Sequence, residues 1–173
     1  MAQPSVEENG DATLILAPLG PNSGPRLWLG NKKAAADSDF IRRQGINVVF
    51  NCTKDLPFSP LIPHQYRVPV HDNLEPQEIQ NMLNWSPEII AKLVKEYKRG
   101  GVILVHCHAG MQRSAAVVAM LIIALTGQPA EKVMAFIRSK RPIAFFPEAN
   151  FKQAILGFEQ QLHNEMRLRT NNS

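Results

Sequence analysis

Residues Val102–Ser114 read Val-Ile-Leu-Val-His-Cys-His-Ala-Gly-Met-Gln-Arg-Ser and constrain the fold more than any other stretch. Val102–His106 has the apolar, β-branched character of a buried strand, and Ala115–Leu125 is the apolar run of a buried core helix. The loop between them meets the helix N-terminus. There, unpaired backbone N–H groups and the positive end of the helix dipole are suited to an anion. Cys107 sits at the mouth of the loop, where the same field stabilises a thiolate and lowers the thiol pKa well below that of free cysteine. Arg113 is placed to return over the loop and grip two oxygens with its planar fork. A nucleophilic sulfur beneath a bound tetrahedral oxyanion points to covalent phosphoryl transfer through a phosphocysteine. The plainer alternative, a buried Cys at an ordinary strand–helix turn, leaves Arg113 unexplained, because the start of a helix favours acidic residues.

Around this segment the chain alternates strands and helices. Thr13–Ala17 reads as a first edge strand, and Arg26–Gly30 as a second strand ending at a glycine. Between them Pro18–Pro25 is a turn-rich connection. Lys33–Gln44 reads as one helix capped by Gly45, and Ile46–Cys52 as a buried strand. Tyr66–Val70 is a short strand placed near an edge by Pro69. Pro76–Arg99 is one long or two short helices, Ala130–Ser139 follows Pro129, and Glu148 to about Arg167 is amphipathic. Strands separated by helices imply a single α/β domain: a central, mostly parallel, twisted sheet of about five strands, flanked by helices on both faces. Ligands of such sheets bind beyond the C-terminal strand ends, where the Cys107 loop lies. The boundaries read as a disordered segment 1–11, a catalytic domain 12–166 and a polar tail 167–173.

A chain of 173 residues has room for one domain with a substantial core. Its two cysteines cannot build a disulfide framework, nothing resembles a secretory signal, and no apolar run reaches membrane-spanning length. A thiolate catalyst needs a reducing compartment, so a cytoplasmic location is expected, the nucleus included. The net charge of +4 suits anionic substrates without separating phosphoprotein from RNA or phospholipid. His64, His71 and His163 show no ligand spacing, so neither metal nor cofactor is expected.

His106-Cys107-His108-Ala109-Gly110-Met111-Gln112-Arg113-Ser114 resembles the H-C-x-A-G-x-x-R-S signature loop of the dual-specificity branch of the cysteine-dependent protein tyrosine phosphatases. Arg26–Gly30 is similar to the family's opening strand, and Gly45–Asn51 to its second block. Arg141-Pro142-Ile143 with Asn150-Phe151 is similar to its closing block. The resemblance runs from about Arg26 to Leu162. It implies the protein tyrosine phosphatase fold and hydrolysis of phosphotyrosine and phosphoserine or phosphothreonine in proteins. Gln112 departs from the Ser that many members carry, which bears on substrate preference. RNA 5′-triphosphatase relatives carry a different loop, H-G-x-N-R, and phosphoinositide phosphatases carry Lys within it. RNA nevertheless stays open as a substrate because of the basic surface, and so does a non-catalytic phosphopeptide-binding module.

The resemblance also distributes roles. His108, Ala109, Gly110, Met111, Gln112 and Arg113 form the substrate-binding loop, and His106 supports it. The general-acid Asp is Asp72, which follows the Tyr66–Val70 strand and lies 35 positions before Cys107. A turn residue is the alternative reading of Asp72. Asp55 is the other candidate acid, and Glu75 a weaker one. Ser114 assists departure of the sulfur, unless it is an ordinary helix-start Ser. Cys52 ends a strand at the same sheet edge and is a candidate disulfide partner for oxidised Cys107, as in the regenerating-liver phosphatases, or else a small buried apolar residue. The two tyrosines, Tyr66 and Tyr97, lie in regular structure, so nothing deepens the pocket toward phosphotyrosine alone. Arg138, Lys140 and Arg141 form a basic cluster that reads first as a solvated helix end and otherwise as the lining of an anionic approach.

Overall fold

The computed structural model describes residues 7–19 and 24–171. Among these, six strands form one sheet: β1 (Glu7–Glu8), β2 (Ala12–Leu16), β3 (Arg26–Gly30), β4 (Val48–Asn51), β5 (His64–Arg67) and β6 (Val102–His106). Their spatial order is β1-β2-β3-β6-β4-β5. β3, β6, β4 and β5 are mutually parallel, and β1 and β2 add an antiparallel flank. The helices are α1 (Lys32–Ala36), α2 (Ser38–Gln44), α3 (Pro76–Lys98), α4 (Arg113–Thr126), α5 (Ala130–Lys140) and α6 (Lys152–Asn171).

The period-2 alternation of the strands divides the core in two. Leu27, Leu29, Phe50, Ile103 and Val105 face α4 and the helices around it. Trp28, Val49 and Leu104 face the other way, onto Ala34, Phe40 and Ile41 of α1 and α2. α4 is buried along almost its whole length, which explains why it is apolar all round rather than amphipathic. β3, β4, β5 and β6 deliver Gly30, Asn51, Arg67 and His106 to one edge of the sheet. The crevice opens there.

The structure corrects several expectations. The sheet has six strands rather than five, and the added strand, β1, lies in the segment expected to be disordered. Asn9 and Gly10 both take positive φ (55° and 76°) and Asp11 N–H donates to Glu8 O, so Glu7–Glu8 turns back onto Thr13 and Ala12. Asn-Gly is a strong hairpin signal for this reason. Residues 1–6 of that segment lie outside the described residues, as do 20–23 of the turn-rich connection. Thr13 is therefore in an interior strand, not an edge strand.

Lys33–Gln44 is two helices. Asp37, extended at φ −85°, ψ 98°, gives its N–H to Ala34 O and accepts Phe40 N–H on its carboxylate, so it ends one helix and starts the next. β5 stops at Arg67, ahead of Pro69, which has no N–H for the ladder. α3 is a single helix despite Pro87. The proline removes the donor for Leu83 O, and the Ser86 hydroxyl donates to that carbonyl instead, at 2.7 Å. α6 continues through Asn171, so residues 167–171 of the expected tail are helical; 172–173 lie outside the described residues. No helix among the described residues is long and apolar enough to cross a membrane.

Candidate active site

The loop from Cys107 to Gln112 is shaped by groups outside it. Gly110 has φ +68°, and a Cβ there would stand 2.6 Å from Gly30 O, so glycine is required by conformation and by space alike. Arg141, 1% exposed, donates from Nε to Gly110 O (2.9 Å), from Nη2 to Ala109 O (3.4 Å) and from Nη1 to Thr13 Oγ1 (2.9 Å) and Gly10 O (3.2 Å). It is a strut that ties the loop carbonyls to the first hairpin. The expected role for Arg141 in a basic approach is thereby corrected. Of its companions, Arg138 lies over the Phe145 ring and Lys140 over Phe136.

Cys107 is 3% exposed, and its Sγ lies 3.1 Å from Ser114 Oγ. Burial alone would raise the thiol pKa. Hydrogen bonds from the Ser114 hydroxyl and backbone N–H, the Arg113 charge and the Gly110 N–H outweigh it, and the pKa falls below the ordinary thiol value. Arg113 is buried at 7% exposure. Its Nη1 donates to Val70 O at 3.0 Å, and its Nε has no hydrogen-bond partner among the described residues. A buried guanidinium N–H without a partner is costly unless an acceptor arrives. His106 Nδ1 lies 3.4 Å from Cys107 O, and burial lowers the His106 pKa to about 4, so the imidazole is neutral near neutral pH.

The loop that carries Asp72 reaches the same crevice. The Arg113 contact to Val70 O holds its start, and the carboxylate of Glu78, in the first turn of α3, accepts His71 N–H. Burial would raise the Glu78 pKa; the His71 N–H, Asn81 and Lys54 outweigh it and hold the pKa below the usual range. Asp72 itself is exposed, and its Oδ1 accepts from Asn150 Nδ2 at 2.9 Å. Asp55 lies on the other rim, its Oδ1 3.4 Å from His108 Nε2. The His108 hydrogen bond holds the Asp55 carboxyl below its ordinary pKa. Glu75 is the exposed residue preceding α3.

Gln112 has a function that the sequence did not disclose. Its Nε2 donates to Phe146 O (3.1 Å) and Glu148 O (2.8 Å), and its Oε1 accepts Asn150 N–H (2.9 Å). Met111 O accepts Phe145 N–H at 2.8 Å. The Cys107 loop thus grips the segment 145–150, and that segment presents Asn150 to Asp72. Cys52 is fully buried and its thiol is free. Burial, and then the Cys107 charge, push its pKa well above the ordinary value, Arg113 acting in the opposite sense.

Residues 27–161 match the family described as dual specificity phosphatase, catalytic domain. Dual specificity phosphatase 28 of Mus musculus is 31% identical over 140 residues, which cover 80% of this chain and 82% of that protein. Dual specificity protein phosphatase 16 of Homo sapiens is 29% identical over 155 residues, covering 88% of this chain. The chain spans only 23% of that longer relative and 22% of human dual specificity protein phosphatase 8. Among solved structures, human DUSP28 superposes with a TM-score of 0.69 at 27% identity, over 79% of this chain and 90% of that one.

Proposed function

The chain belongs to the dual specificity phosphatase family, and from that premise we propose that it is a phosphoprotein phosphatase acting on phosphotyrosine and on phosphoserine or phosphothreonine. The observation that carries the reading is the pairing of Cys107 Sγ with Ser114 Oγ at 3.1 Å, next in sequence to a buried Arg113 whose Nε lacks a partner among the described residues.

In this reading the Cys107 thiolate attacks phosphorus. A P–S bond forms as the ester P–O bond breaks. Arg113 and the N–H groups of His108, Ala109, Gly110, Met111 and Gln112 hold the phosphoryl oxygens. His106 stays neutral and steadies the Cys107 carbonyl. Asp72 gives its proton to the leaving oxygen; as a carboxylate it then takes a proton from the water that attacks the phosphocysteine. The thiolate departs with the Ser114 hydroxyl hydrogen-bonded to it. Asp72 is preferred to Asp55 because the Arg113 that faces the nucleophile also holds the loop leading to Asp72. Asp55 is engaged with His108 and kept ionised. Cys52 is proposed as the partner that captures oxidised Cys107.

The test is phosphate release from a phosphotyrosine peptide, a phosphothreonine peptide and 5′-triphosphorylated RNA, by the parent and by Cys107→Ser. Cys107-dependent turnover of both peptides is expected. Turnover of RNA alone would replace the substrate class, and no turnover of any substrate would leave a phosphate-binding module.

A further inference from the structure

We propose that the cleft walled by Lys32, Lys33, Leu56, Pro57, Phe58 and Pro60 is a subsite for an acidic, apolar peptide segment flanking the phosphorylated residue of the substrate. This inference rests on the phosphoprotein reading above and adds a determinant of substrate choice to it.

The cleft adjoins the catalytic loop. Buried His106, the residue before the nucleophile, also lines it, and Lys32 N–H donates to His108 O at 3.1 Å. A chain whose phosphorylated residue enters the Cys107 loop can continue past the His108 rim into this space. Its volume, about 500 Å³, is within the range of ligand clefts.

The walls indicate the chemistry of the occupant. Leucine, prolines and phenylalanine offer apolar surface. Lys32 and Lys33 are exposed, and neither forms an ion pair among the described residues. An apolar side chain accompanied by carboxylates complements that combination.

The apolar wall is also preformed. Arg67 donates to Thr53 O (2.9 Å) and Leu56 O (2.8 Å) and lies 4.9 Å over the Phe58 ring; Asn51 Nδ2 donates to Leu56 O at 2.8 Å. Gln65 Nε2 donates to Ile62 O and Ser59 O, beyond Phe58. A wall held from behind needs little ordering when a ligand binds. RNA is less suited. Phe58 is the one Phe, Tyr or Trp lining the cleft and the Arg67 guanidinium already covers one of its faces, while the His106 ring is buried.

The test uses one phosphotyrosine core peptide flanked, on either side, by Leu-Glu-Glu or by Ser-Lys-Lys, with a small aryl phosphate as reference. The parent is expected to prefer the Leu-Glu-Glu peptides by about tenfold in kcat/KM, chiefly through KM, the combined scale of two exposed ion pairs. Lys32→Glu/Lys33→Glu should reverse the preference toward lysine flanks, and Phe58→Ala should remove the advantage of leucine. Both variants should retain parental turnover of the aryl phosphate. Equal use of both peptide sets by the parent would overturn the proposal. So would a parallel fall on peptides and aryl phosphate in the charge reversal, or a charge reversal that weakens only triphosphorylated RNA. If the parent hydrolyses no ester, the catalytic reading fails by itself. Fluorescence anisotropy of the same peptides on the same proteins still decides the subsite: a preference reversed by the charge swap supports it, and an absent or unmoved preference overturns it.

Discussion

Asn150 Nδ2 donates to Asp72 Oδ1 at 2.9 Å, joining the segment that leads into α6 to the loop that follows β5, 78 positions away in sequence. Asn150 owes its place to Gln112, whose Oε1 accepts the Asn150 N–H. The nucleophile's loop and the proposed acid are thus coupled through two amide side chains. Asn150→Ala removes one exposed hydrogen bond, with a net value of about 1 kcal/mol, or roughly fivefold in rate. The loss should appear in kcat with KM little changed. It should be larger for phosphoserine, whose alkoxide needs a proton, than for an aryl phosphate with a good leaving group. Equal losses on both substrates would assign Asn150 a structural role only.

Gly110 combines φ +68° with a Cβ position 2.6 Å from Gly30 O. Gly110→Ala must therefore displace either the loop or β3, in addition to the roughly 1–2 kcal/mol cost of a left-handed non-glycine residue. Displacements of about 1 Å at a catalytic site reduce turnover by about 10²-fold, and a fall of that order in kcat/KM is expected in a protein that still unfolds cooperatively. Parental activity in the variant would show that the loop tolerates the shift.

Both ends of the central strand–loop–helix unit were legible in the sequence, because β-branched apolar runs, a glycine stop and a buried helix are local signals. β3 and β6 occupy the ranges that pattern alone indicates; Ser114 Oγ stands 3.1 Å from Cys107 Sγ, and Arg113 is buried at the start of α4. What escaped was non-local. Gln112 looks like a substitution in a loop, yet its partners are 34 to 38 positions away. Glu78 looks like an acid favouring a helix start, yet it fixes His71. Arg141 looks like part of a surface cluster, although it is buried. The Asn9-Gly10 hairpin signal was local and readable, but the polar composition around it suggested disorder. The break at Asp37 depends on one side chain capping the next helix while its backbone closes the previous one.

His106 supplies a pH dependence of stability. Its folded pKa is about 4, against about 6.5 when unfolded. Between those values the unfolded chain binds the extra proton, so stability rises with pH across the window and is lost on acidification through it. The full difference corresponds to about 3 kcal/mol as an upper bound. Urea unfolding at pH 4.5 and pH 7 should show part of this loss in the parent and a smaller one in His106→Asn. Identical losses in the two proteins would place the effect on other groups.

Burial, and then the Cys107 charge, raise the Cys52 pKa. Peroxide withdraws two electrons from the Cys107 thiolate to form a sulfenic acid, and that charge is then gone. The Cys52 sulfur can displace the hydroxyl group, giving the disulfide and water. Non-reducing peptide mapping after peroxide treatment should recover a Cys52–Cys107 peptide, and dithiothreitol should restore activity. Recovery of unlinked thiols, or of Cys107 sulfinic acid alone, would show that Cys52 is only a packing residue.

The most direct test of the proposed mechanism is acid-quenched trapping of the covalent intermediate in Ser114→Ala, where departure of the sulfur is slowed. With a radiolabelled phosphotyrosine peptide as substrate, the expected result is label on the Cys107 peptide that is absent from the Ser114→Ala/Cys107→Ser double variant. Label on another residue, or phosphate release that continues undiminished in the parent after Cys107→Ser, would contradict Cys107 as the nucleophile.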